Sequence, residues 1–194
     1  AAALAARLLP VADGSDMMGS LRNPAAFCNV YGFRPTWGLV PQDAAGDTFL
    51  STLATDGPMG RSAEDLANLL AVLAGPHPAT PFPVRPDPLV PLRPAETRGL
   101  RIGWLGDWGG AYATEPGILA QCDSALAVFE GLGAVVEPLA PPFPAAQLWQ
   151  AWTTLRSWLV AGTLAPLHAD AARRARLKPE AVWEIERGMR LTAL

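Results

Sequence analysis

The chain has 194 residues, 50% of them hydrophobic, a net charge of −3 and a pI near 5.4. That is enough apolar material for one domain with its own core, and it excludes the basic surface of a nucleic-acid binder. No apolar run reaches the roughly 18 residues of a membrane span, and Cys28 and Cys122 are too few for a disulfide framework, which fits a reducing, cytoplasmic setting.

The first nine residues, Ala1 to Leu9, read as the inside of a helix with an Ala/Leu packing face, with no initiator methionine and no N-cap. The last ten, Ile185 to Leu194, stop without a C-cap. Both ends are expected to be cuts in a longer polypeptide. After a short extended approach at Pro10–Asp13 comes Asp13-Gly14-Ser15-Asp16-Met17-Met18-Gly19-Ser20-Leu21-Arg22-Asn23-Pro24-Ala25-Ala26-Phe27-Cys28. Gly14 and Gly19 allow a sharp turn with its amides exposed. Asn23 and Pro24 read as an N-cap and first helical residue, Ala25 to Tyr31 as the helix and Gly32 as its stop. Phe27, Val30 and Tyr31 should point inward, with Cys28 as a core thiol. A serine on a tight turn among free amide donors is how a nucleophile and an oxyanion hole are built together.

Gly38 to Thr55 is irregular, with Asp43, Asp47 and Thr48, and Asp56–Gly60 has turn chemistry. Ser62 should cap a helix whose stripe is Leu66, Leu69, Leu70 and Leu73 and which Gly75 ends. Eight prolines between Pro76 and Pro94 predict an extended surface connection. Gly99–Leu105 reads as a strand, Thr114 to about Gly131 as a helix with Ile118, Leu119, Cys122, Leu126 and Phe129 on one side, and Gly133–Leu139 as a strand. Strand, helix and strand at this spacing make a right-handed crossover with parallel strands. Three helical segments, at about 145–161, 163–176 and 179–193, complete the chain. Trp149, Trp152 and Trp158 share one helical face, which predicts a core or helix contact ahead of an aromatic substrate cavity.

Rival sites are weaker. His77 and His168 have no motif around them and read as surface or loop residues. Lys178, the one lysine among 15 basic residues, sits in an arginine-rich helix end. A phosphate-binding loop fails because the stretch lacks the Gly-Lys-Ser/Thr ending.

Gly14-Ser-Asp-x-x-Gly-Ser-x-Arg-x-Pro-Ala-Ala-Phe-Cys28, continued by Gly32-Phe-Arg-Pro-Thr-Trp-Gly38, closely resembles the signature of the amidase signature family. Gly57-Pro-Met-Gly-Arg-Ser-Ala-Glu-Asp-Leu-Ala67 resembles a second block of that family. The resemblance implies an α/β fold, part of a mixed, largely parallel sheet flanked by helices. Residues 1–194 would then be part of a single amidase domain: 1–75 bearing the nucleophile, 76–99 a proline-rich connection, and 100–194 the strand–helix–strand and helical segment.

It also implies a serine–cis-serine–lysine hydrolase of linear carboxamides, with Ser20 as nucleophile and acyl carrier. The amides of Met17, Met18 and Gly19, with that of Ser20, would form the oxyanion hole, supported by Asp16 and Arg22. The lysine and cis-serine would lie upstream of Ala1, so residues 1–194 alone are expected to be inactive. Met18 stands where the family usually has a glycine, which leaves open a narrowed acyl pocket, a subgroup with its own substrate, or a displaced turn. No metal or cofactor is implied; the partner is a small amide substrate, without nucleic acid or membrane, and with a homodimer left open. A non-catalytic scaffold or an amidotransferase partner subunit is the alternative.

Overall fold

Residues 12–16 run extended because they have a strand to pair with. In the computed structural model, which describes residues 1–42, 49 and 52–192, β1 (Ala12–Asp16) and β2 (Tyr31–Gly32) flank β3 (Thr55–Gly60) in an antiparallel three-stranded sheet. Gly14 therefore lies in a strand opposite Gly57 and does not turn the chain.

The expected turn at Asp56–Gly60 is likewise corrected: it is the central strand. Pro58 has no N–H to give, but its carbonyl accepts from Phe33 N at 3.0 Å. Gly57, Pro58, Met59 and Gly60 are all buried, and burial overrides the local turn preference. A Cβ on Gly57 would collide with the Phe33 carbonyl oxygen, so glycine is what lets the chains come this close. The Asp43, Asp47 and Thr48 stretch lies outside the described residues.

At the head of the sheet, α1 (Ala2–Ala5) is shorter than the expected nine-residue helix, and Arg7 leaves it at φ 60. Next, α2 (Arg22–Cys28) begins before Asn23, so Asn23 is not its cap. The cap comes from across the turn: Asp16 Oδ2 accepts from the amides of Leu21 at 3.3 Å and Arg22 at 3.4 Å, satisfying donors that the first turn leaves open. The helix ends at Asn29 in the left-handed region, three residues before Gly32. This register buries Leu21 and Ala25 and turns Phe27, 92% exposed, to the surface together with Tyr31, against the expectation that both point inward. Leu4, Leu21, Ala25 and Met59 form the core, with Val30 packed against it; Cys28 is a half-buried free thiol.

The capped helix is as expected. In α3 (Ala63–Leu73), Ser62 Oγ accepts from Asp65 N at 3.1 Å, and Asp65 Oδ2 in turn accepts from Arg61 N at 3.2 Å. Ala67 and Leu70 are its buried residues, and Leu66, Leu69 and Leu73 are half-buried. Residues 76–94 form neither helix nor strand.

The chain divides into two compact units, Ala1–Arg93 with Arg156–Leu194, and Pro94–Leu155. The second holds β4 (Arg101–Trp104), α4 (Ile118–Gly131) and β5 (Val135–Pro138), with β4 and β5 parallel as the spacing predicts. Gly117 caps α4 in the left-handed region, so the helix starts after Thr114. Leu119, Cys122 and Leu126 are half-buried, while Ile118 and Phe129 are exposed.

One helix, α5 (Ala145–Ala169), replaces two of the expected segments: it passes through Gly162 and Pro166 without a break. It is followed by α6 (Ala171–Arg174), capped by Asp170, and α7 (Pro179–Met189). In the first unit, α7 packs on α5 through Gly188, where a Cβ would collide with the Ser157 carbonyl oxygen. Ser157 and Ala161 are the buried α5 residues; Trp149 is exposed and Trp152 and Trp158 are half-buried. Helices with one parallel and one antiparallel sheet give the α/β class, with the antiparallel pairs the more numerous among the described strands. No helix among the described residues is long and apolar enough to cross a membrane.

Candidate active site

The turn between β1 and α2 is built around one carboxylate. Asp16 ends β1 fully buried, and such a charge persists only if it is paired and hydrogen-bonded. Its Oδ1 accepts from Gly19 N at 2.7 Å and Arg22 Nη2 at 3.0 Å; its Oδ2 accepts from Arg22 Nε at 2.9 Å as well as from the two α2 amides. Arg34 adds a second guanidinium, with Nη1 3.3 Å from Oδ1 and also bonded to the Asp16 carbonyl, and Nη2 donating to the Leu53 carbonyl at 3.0 Å. The Arg22 hydrogen bonds hold the Asp16 carboxyl well below the usual carboxylate range, and they outweigh the opposing effect of burial; the same contact raises Arg22.

This clamp shapes the turn that follows. Gly19 has φ +111, a conformation strained for any other residue, and its carbonyl accepts from Asn23 N at 2.7 Å. Gly19 is buried, and Met18 and Ser20 on either side of it are exposed. Ser20 thus stands on an open face directly before α2. The Gly19 amide is engaged by Asp16; among the described residues, the amides of Met17, Met18 and Ser20 have no protein acceptor.

None of the rival residues joins Ser20. Among the described residues no lysine, histidine or carboxylate bonds its hydroxyl. Lys178 is exposed at the N-cap of α7. His77 is exposed and accepts from Ala79 N at 3.2 Å. His168 corrects the surface-or-loop expectation: it lies in α5, its side chain is largely buried, and its Nε2 is 3.3 Å from Glu186 Oε1.

Three residues near the turn were not singled out from sequence. Arg34 sits inside the Gly-Phe-Arg-Pro motif, which was the available signal for it. Arg156 on α5 and Glu184 on α7 carry no local signal: they meet over 28 positions through Nε–Oε1 at 2.6 Å and Nη2–Oε2 at 3.0 Å. The remaining Arg156 nitrogen, Nη1, contacts Met18 Sδ.

A buried carboxylate locking a serine turn to a helix start defines a class of site: a hydroxyl presented beside unused backbone donors. The particular family follows from comparison. The Amidase family model matches residues 1–184, and the chain belongs to the amidase signature family. It is 38% identical over 152 residues to an acylamidase of Rhodococcus erythropolis, covering 76% of this chain and 31% of that protein. It is 41% identical over 151 residues to a glutamyl-tRNA(Gln) amidotransferase subunit of Thermus thermophilus, covering 73% of this chain and 30% of that protein. In structure it resembles a bacterial aryl acylamidase of the amidase signature enzymes, with a TM-score of 0.81, 27% identity, and coverage of 98% of this chain and 41% of the other. The chain thus spans less than a third of the length of these two curated relatives.

Proposed function

We propose that the protein containing this chain hydrolyses the C–N bond of a linear carboxamide through an acyl-enzyme on Ser20. The observation that carries this reading is the turn itself: Asp16, held by Arg22 and Arg34, binds the Gly19 amide at positive φ, with Ser20 exposed beside it and the amides of Met17, Met18 and Ser20 without a protein acceptor among the described residues. Ser20 Oγ attacks the amide carbonyl carbon, and the carbonyl oxygen becomes an oxyanion facing the turn. Of the donors that the family resemblance assigns, Met17 and Met18 have free amides and Ser20 adds its own. The Gly19 amide serves by holding the turn to Asp16. One such donor contributes about 3 kcal/mol to the barrier.

A serine hydroxyl is almost wholly protonated at neutral pH and needs a base. The family resemblance assigns this to a lysine and a cis-serine upstream of Ala1, so residues 1–194 alone should show no turnover. The expected setting is cytoplasmic, with a small amide as substrate and a homodimer as the simplest assembly. A second reading, one component of an amidotransferase, is supported by the 41% identity to the Thermus thermophilus protein.

The test is to expose the complete polypeptide to a fluorophosphonate serine probe. Wild type should label, and Ser20→Ala should lose both labelling and amide hydrolysis while melting normally, since an exposed hydroxyl contributes little to stability. Activity of Ser20→Ala within about tenfold of wild type would sink the assignment. Glutamine hydrolysis that appears only with added partner proteins would favour the amidotransferase reading.

A further inference from the structure

The Met18 side chain reaches from the turn to another element of its unit. Met18 and Ser20 flank Gly19, and both are exposed while Gly19 is buried. From there Met18 Sδ contacts Arg156 Nη1. Arg156 is not a free cation: Glu184 takes its Nε and Nη2 in a two-bond, side-on pair, which is the geometry in which a guanidinium and a carboxylate are most firmly held. The pair sits on a rigid base. Gly188 presses α7 onto Ser157 of α5, and Arg187 Nη1 donates to Ser157 Oγ at 2.9 Å.

We propose that Met18, seated on the Arg156–Glu184 pair, determines substrate choice at Ser20 and restricts the site to amides with uncharged acyl groups. The inference rests on Ser20 being the nucleophile. Its chemistry is that of a masked cation. A carboxylate on the acyl chain is recognised by a guanidinium with free donors and net positive charge. Here Glu184 cancels the charge and occupies two nitrogens, and the thioether of Met18 covers the third. An incoming carboxylate would meet a neutralised pair and the Glu184 charge behind it, with only the guanidinium N–H groups left over by Glu184 and Met18 to replace its lost water. An uncharged aliphatic or aryl acyl group loses nothing against a thioether, which is soft and adaptable.

The experiment compares kcat/KM for butyryl and succinyl p-nitroanilide with the complete polypeptide. Wild type should favour the butyryl substrate. Met18→Gly uncovers Arg156 Nη1 and should raise the succinyl-to-butyryl ratio several-fold; Glu184→Gln removes the cancelling charge and should raise it at least tenfold. Met18 is exposed, so Met18→Gly remains informative even if Glu184→Gln folds poorly. A wild-type preference for the succinyl substrate, or a ratio within twofold of wild type in both variants, overturns the proposal. Fluorophosphonate labelling of Ser20 separates the two failures. Labelling with an unmoved ratio removes this inference alone, whereas absent labelling and turnover in wild type removes the nucleophile reading along with it.

Discussion

Asp16 and Arg22 are joined by two hydrogen bonds, Nε–Oδ2 at 2.9 Å and Nη2–Oδ1 at 3.0 Å, across the turn that carries Ser20. The carboxylate is fully buried while the Arg22 side chain is 54% exposed. The pair is therefore asymmetric: the buried carboxylate is the shared acceptor for several donors, whereas the half-exposed Arg22 is one donor among them and is partly solvated. The carboxylate also draws on Arg34 and three backbone amides, so it organises both the turn and the start of α2.

That asymmetry predicts unequal mutants. Asp16→Ala should cost about 3 kcal/mol, because it strips the clamp and leaves buried donors without an acceptor. Arg22→Ala should cost about 1 kcal/mol, since Arg34 and the amides still compensate the carboxylate and the lost partner is half in water. The double mutant should fall short of the sum, because once Asp16 is gone Arg22 has little left to contribute. Thermal melts of the four proteins in the cycle measure this; additive losses would show that the two do not act as a unit.

Acid should undo the same clamp. The folded Asp16 carboxyl lies below its ordinary value of 3.8 because Arg22 and the backbone donors favour the charged form. A depressed folded value means that the unfolded chain takes up the proton first. The stabilisation is thus fully present above about pH 4 by the ordinary carboxylate value, and is lost as pH falls below that towards the folded value. Asp16→Asn should flatten the dependence of stability on pH in this range and leave its shape at neutral pH unchanged. An acid limb of equal slope in wild type and Asp16→Asn would show that other carboxylates carry it.

Gly188→Ala tests the contact between α7 and the end of α5. A Cβ there collides with the Ser157 carbonyl oxygen and would stand 2.6 Å from Ala161 Cβ. Backbone cannot yield cheaply, so the helices must separate, at a cost of about 1–3 kcal/mol as for other overpacked sites. A variant that melts within a degree of wild type would mean that this interface gives way freely.

Ser62→Ala should cost about 1 kcal/mol, the usual loss for a helix cap. Its Oγ holds Asp65 N at 3.1 Å, and that bond is lost with the hydroxyl. Circular dichroism and a melt of the single variant are sufficient; no change in stability would show that solvent caps α3 equally well.

What the sequence by itself determined was whatever neighbouring residues settle among themselves. Ser62 with Asp65 and the leucine spacing from Leu66 to Leu73 define α3, because a cap and a stripe act within a few residues. Glycine-bounded apolar runs on either side of a helical segment define the parallel β4 and β5. The Gly-Ser-Asp stretch and the residues that follow it identified the family, since a motif of residue types at fixed spacing is read within a few positions. Tertiary structure alone decided the rest. Asp56–Gly60 has every local reason to turn, but pairing on both edges and burial make it the central strand. Asn23 reads as a cap until Asp16 supplies the capping oxygen from β1 and α2 starts two residues earlier, a register in which Phe27 is exposed. Arg156 and Glu184 meet each other and Met18 only because α5, α7 and the turn converge. Such partners lie beyond the span of a local pattern, and free energy that depends on their meeting leaves no periodicity or cap in the local sequence from which it could be read.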